Sequence, residues 1–172
     1  DYTATTADLV TTNIYDAAGN LVQVTDGLGN SDFYYYDKDG RQVAKVDREK
    51  YLTVWTRDGD GNVLSETRSA TKVAITVTTA TTVAALQASA GTNAADRTTT
   101  FSYDRNGRRL TEVRNSVAIG TISGTGVLST STVNVTITYT YNGLGEVTSK
   151  QEATGDTTTY EYDVMGRQTA IK

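Results

Sequence analysis

One spacing constrains this chain more than any other feature: Gly19, Gly40 and Gly61 lie 21 residues apart, and Gly145 and Gly166 repeat the interval. A short pattern surrounds each of them. It reads Tyr15-Asp16-Ala17-Ala18-Gly19, Tyr36-Asp37-Lys38-Asp39-Gly40, Arg57-Asp58-Gly59-Asp60-Gly61, Tyr103-Asp104-Arg105-Asn106-Gly107, Tyr141-Asn142-Gly143-Leu144-Gly145 and Tyr162-Asp163-Val164-Met165-Gly166. The third copy puts Arg57 in place of Tyr and the fifth puts Asn142 in place of Asp. The two irregular gaps, 46 and 38 residues, are the same unit carrying insertions at about 71–97 and 115–135. A fixed period of this length means one supersecondary unit packed against copies of itself.

That unit reads as a β-hairpin. A strand-like run such as Asp32-Phe33-Tyr34-Tyr35-Tyr36 enters a polar turn closed by Gly and leaves as Arg41-Gln42-Val43-Ala44-Lys45-Val46. Asp at the turn start bonds backbone amides ahead of it, Gly supplies a positive φ, and Asn142 replaces Asp without losing that local bonding. The fold expected is all-β: tandem antiparallel hairpins over residues 1–172, forming a twisted strip or partial shell.

Aromatic residues recur two places before the motif Tyr, as in Tyr34/Tyr36, Phe101/Tyr103, Tyr139/Tyr141 and Tyr160/Tyr162, with Trp55 at that place in the third copy. Period two puts each pair on one face, so ring ladders are expected between paired hairpins. Three positions after each Gly stand Val22, Val43, Leu64, Leu110, Thr148 and Thr169, but Leu21, Val63 and Val147 precede three of them. The alternation is therefore not clean, and partial cover on both faces is expected. In the first insertion Val73–Val83 reads as a strand, and Ala84–Ala90 as a short helix ended by Gly91. The second insertion reads as extended strands with turns at Gly120 and at Gly124-Thr125-Gly126. Both are expected to project from the array.

Composition removes most chemistry. The chain has no His, Cys or Pro. Imidazole-based acid–base catalysis, His-dependent triads, thiolate nucleophiles, disulfides and zinc–thiolate sites are thereby excluded. A net charge of −4 argues against nucleic acid as a partner. No apolar run is long enough for a membrane-spanning helix, and Asp1 to Val10 lacks the pattern of a signal peptide. Threonine richness leans toward an extracellular or cell-surface location.

The runs Tyr36-Asp37-Lys38-Asp39-Gly40-Arg41, Tyr103-Asp104-Arg105-Asn106-Gly107-Arg108 and Tyr162-Asp163-Val164-Met165-Gly166-Arg167 resemble the RHS (rearrangement hotspot) or YD-repeat family. The resemblance implies a strip of hairpins of the kind that forms toxin shells in bacteria and large extracellular barrels in teneurins. It further implies a structural, non-catalytic role, as a wall segment or polymerising unit that pairs with itself or with adjoining repeats through its open edges. Some members carry a self-cleaving peptidase with Asp-Pro-x-Gly elements; without proline, that activity is not carried over.

Sharper readings compete at a few positions. Asp58-Gly59-Asp60-Gly61-Asn62 has the look of a calcium loop, but the equivalent places in other copies hold Ala18, Asn106 and Leu144, and no Glu stands at the twelfth position. They are turn positions, and no metal or cofactor is expected. Paired carboxylates could serve a glycosidase, yet here they recur at turns. Exposed rings beside acids suit glycan stacking, which keeps a carbohydrate- or protein-binding adhesin-like module as the alternative function. Arg41, Arg108 and Arg167 are expected to meet the Tyr ring or the turn Asp of adjacent hairpins.

Overall fold

The computed structural model describes residues 10–172; the Thr- and Val-bearing approach to the first motif lies largely outside the described residues. Twelve strands and one helix follow in chain order: β1 (Thr12–Tyr15), β2 (Leu21–Thr25), β3 (Ser31–Tyr36), β4 (Gln42–Val46), β5 (Tyr51–Arg57), β6 (Val63–Lys72), α1 (Val83–Ala90), β7 (Arg97–Tyr103), β8 (Arg109–Ile122), β9 (Leu128–Tyr141), β10 (Val147–Gln151), β11 (Thr157–Tyr162) and β12 (Gln168–Ile171). Strand order in the open antiparallel sheet is the order of the sequence. The chain divides into two compact units, one of residues up to Thr56 with Glu66–Asp96, the other of Arg57–Ser65 with Arg97–Lys172.

Each motif closes its hairpin by the same bonds. The Asp37 amide donates to the Arg41 carbonyl at 2.9 Å, and the Gly40 amide donates to the Asp37 carbonyl at 3.1 Å, with Gly40 at φ +75°. This is a four-residue turn ending on a left-handed glycine, and a bulge follows on the leaving strand three residues later. Tyr36 pairs with Gln42 and Tyr35 with Ala44, so Val43 is passed over. Val22, Leu110, Thr148 and Thr169 are passed over in the same way. The uneven alternation noted in the sequence is the bulge itself: one extra residue shifts the strand's side chains to the other face.

The other ends of the strands use the same turn, which the motif search did not catch. Asp26, Asp47, Ser123 and Glu152 each accept from the amide three residues on, at Gly29, Lys50, Gly126 and Gly155. Gly19 to Gly29 is 10 residues and Gly29 to Gly40 is 11, so the 21-residue repeat is two near-equal half periods. Lys50 holds the glycine position at φ +71°.

The first unit owns a hydrophobic core. Register places Phe33 opposite Val46, Tyr35 opposite Ala44, Ala44 opposite Val54 and Val46 opposite Leu52, so these residues share one face. The first insertion folds down on that face instead of projecting. Val73, Leu86 and Ala90 are buried with Tyr35, Ala44, Val46 and Leu52. Nor is Val73–Val83 a strand: β6 stops at Lys72, and the segment runs irregularly to α1. A strand there would turn alternate residues away, whereas the observed path seats Val73 in the core and lets the Thr78 carbonyl accept from the Tyr35 hydroxyl at 2.9 Å. The short helix is as expected: the Thr82 hydroxyl caps it by accepting from the Ala85 amide, and Gly91 ends it.

The second unit has no fully buried residue among those described. The places that hold Tyr35 and Ala44 in the second motif hold Ser102 and Thr111 in the fourth and Thr140 and Ser149 in the fifth. Their hydroxyls bond each other at 2.6 and 2.7 Å. Its insertion does project. Residues 117–122 of β8 pair with 128–133 of β9, beyond the rungs shared with β7 and β10. The turn is Ser123–Gly126, while Gly120, expected in a turn, pairs with Thr130 inside the ladder.

Two substitutions test this account. Leu86→Ala, at a fully buried site, is expected to cost about 2–5 kcal/mol in urea denaturation. Lys50→Gly is expected to raise stability by about 1 kcal/mol in the same assay, because it relieves a left-handed backbone at a position held in its turn through the main-chain amide.

Candidate functional site

The motif residues build a clasp in two layers. In the first, the carboxylate locks its own turn. One oxygen of Asp104 accepts from the Asn106 and Arg108 amides, both at 2.9 Å, and the other accepts from Arg108 Nε at 2.6 Å. Asp16, Asp37, Asp58 and Asp163 follow suit, each meeting the side chain directly after its Gly: Asn20, Arg41, Asn62 and Arg167. The arginines hold their own turn's Asp, and Arg108 also meets the tyrosine ring of the next hairpin, as expected.

The fifth copy reverses the polarity. Asn142 Oδ1 accepts from the Leu144 and Glu146 amides as an Asp would, but its Nδ2 donates to Glu146 Oε2 at 2.6 Å. Asp/Arg has become Asn/Glu, with donor and acceptor exchanged. The residue after Gly is thus a full member of the motif. Its signal was present in the sequence as an unbroken series of polar side chains, Asn20, Arg41, Asn62, Arg108, Glu146 and Arg167.

The second layer joins one hairpin to the next. The Tyr36 hydroxyl donates to the Leu21 carbonyl at 2.9 Å, Tyr103 to Val63 at 3.0 Å, Tyr141 to Arg109 at 2.7 Å and Tyr162 to Val147 at 3.0 Å. In every case the acceptor lies two residues after the glycine of the preceding motif. The side chain after that glycine also reaches forward: Glu146 Oε1 lies 2.9 Å from where a Cβ on Gly166 would stand, and the φ of +76° is what favours glycine there. Arg108 spans both layers, donating to the Asn142 carbonyl at 3.1 Å and lying 4.9 Å from the centre of the Tyr141 ring.

The remaining sequence candidates fall outside this arrangement. Tyr15 ends β1 and is exposed, and Arg57, in place of Tyr, donates back to the Gly61 carbonyl of its own turn at 2.9 Å. The rings do not form the expected ladders: Lys45 lies over Tyr34 at 5.2 Å, Arg109 lies over Phe101 at 4.6 Å, and the Trp55 indole N–H donates to Glu66. The calcium-like run places its Asp58 carboxylate on Asn62, inside the turn.

Hydrogen bonding sets the electrostatics. Asn20 and Asn62 side chains hold the carboxyls of Asp16 and Asp58 below their usual range, and the Arg108 and Arg167 amides do the same for Asp104 and Asp163.

The family whose description is RHS Repeat matches residues 141–172. Those 32 residues match an RHS repeat. The matched segment holds the fifth and sixth motifs and the Tyr162 bond that links them. No curated protein matches the chain. Among solved structures, the crystal structure of TcdB2-TccC3 without its hypervariable C-terminal region is 15% identical over 95% of this chain and 10% of that one, at a TM-score of 0.38. The Tc holotoxin pore of Photorhabdus luminescens is 15% identical over 94% of this chain and 10% of that one, at 0.39. The chain spans about a tenth of the length of these neighbours.

Three outcomes check the clasp. Tyr162→Phe, which removes only the inter-hairpin bond, is expected to cost about 1 kcal/mol and to speed hydrogen exchange in β11 and β12. Asn142→Asp sets two carboxylates against each other and is expected to destabilise the chain, with Asn142→Asp/Glu146→Arg restoring it; a double-mutant cycle reads the coupling. Because the folded pKa values of Asp16, Asp58, Asp104 and Asp163 lie below the ordinary value of 3.8, their contribution is complete above that pH and is lost as pH falls through the depressed values. The denaturation midpoint is expected to drop steeply in that acid window.

Proposed function

We propose that this chain is a structural, non-catalytic RHS/YD-repeat strip, a single array that serves as a wall segment or polymerising unit of a larger secreted or cell-surface assembly. The observation that carries the reading is the tyrosine clasp. A hydroxyl that reaches the main chain of the preceding hairpin at a constant position serves the joining of hairpins. The motif acids are spent in the same way, on their own turns, which supports a scaffold over an enzyme. The expected partner is more of the same structure, from adjoining repeats or from further copies, with no cofactor.

Electron microscopy of the purified protein tests the proposal, with closed shells or filaments as the expected outcome. Dispersed single particles that capture a ligand on a glycan array would replace it with the adhesin-like alternative.

A further inference from the structure

The projecting hairpin of the second unit has chemistry unlike the rest of the chain. From Asn115 to Gly145 there is no Asp, Glu, Lys or Arg, a stretch of 31 residues in a chain with 36 charged ones. At its end Ile122, Val127 and Leu128 are 74%, 63% and 68% exposed. Ile122 and Leu128 face each other as the last rung before the turn.

The turn at this tip has the geometry of the motif turns with the charge removed. The Ser123 amide donates to the Val127 carbonyl, and the Gly126 amide to the Ser123 carbonyl, both at 2.9 Å. Ser123 Oγ stands where other turns hold an acid and accepts from the Val127 amide at 3.1 Å. The remaining hydroxyls near the tip pair internally, Ser123 with Thr125 and Thr121 with Ser129, both at 2.8 Å. A tip built this way can leave water without stranding a charge or a turn bond, the condition that a lipid interface imposes.

We propose that the Ile122–Leu128 tip is a lipid-interface anchor that dips into the surface of a zwitterionic bilayer. The chain's net charge of −4 gives it no attraction to anionic lipid, so apolar burial carries the contact. Depth is limited to the tip. Above it the outer edges of the two strands carry backbone groups with no neighbour strand among the described residues, and these must stay in water or headgroups. This inference stands apart from the wall-segment proposal and needs no assembly.

The test uses protein-free phosphatidylcholine vesicles and the whole chain. Val127→Trp is expected to shift its emission to the blue on mixing, against the constant background of Trp55, and to co-sediment with the vesicles equally at low and high salt. Ile122→Asp/Leu128→Asp is expected to lower co-sedimentation of the otherwise unsubstituted chain about tenfold. No blue shift from the Val127→Trp chain would overturn the proposal and turn attention to a protein partner. Binding that salt abolishes, or that the paired aspartates leave unchanged, would overturn it too. The tryptophan readout stands even where the aspartates disturb the hairpin.

Discussion

A strip of hairpins has a mechanical problem that a closed core does not: each hairpin touches only its neighbours, so register has to be handed on locally. Strand pairing alone does this poorly, since a slip of one residue keeps a ladder of hydrogen bonds while reversing every side chain. The hydrogen bond from the motif tyrosine to the carbonyl two residues past the preceding glycine removes that freedom. It is made by Tyr36, Tyr103, Tyr141 and Tyr162, it has one geometry, and a slipped register would leave both groups without their partner.

The same turn and bulge accompany that bond. The Asp-locked turn delivers a left-handed glycine, and on the motif side of the hairpins a bulge follows at the third residue after it. The Asn142/Glu146 exchange shows that the physical requirement is a donor facing an acceptor across the turn, whichever side supplies which. Repeat proteins built on such nearest-neighbour terms draw stability from the sum of small identical contributions.

Against that uniform background the two insertions do opposite things. The first supplies apolar residues where the sheet face is itself apolar, at Phe33, Tyr35, Ala44, Val46, Leu52 and Val54, and so buries the hydrophobic core of its unit. The second springs from a region whose equivalent face is paired hydroxyls, which satisfy one another and offer nothing to cover. Matching the polarity of an insertion to that of the face beneath explains why one folds down and the other stands out.

The sequence by itself determined the hairpin unit, its turn and its glycine, because these depend on contacts within about five residues and repeat at constant spacing. It also carried, unread, the half-period turns at Asp26 and Asp47 and the polar residue after each glycine. Tertiary structure decided the rest. That Val73 is core and not strand depends on where the chain comes to lie over Tyr35, and the destination of each tyrosine hydroxyl lies 15 to 40 residues away. The unclear faces of the leaving strands were settled by the bulge, which no hydropathy pattern displays, because it changes the backbone path and leaves the order of residues as it was.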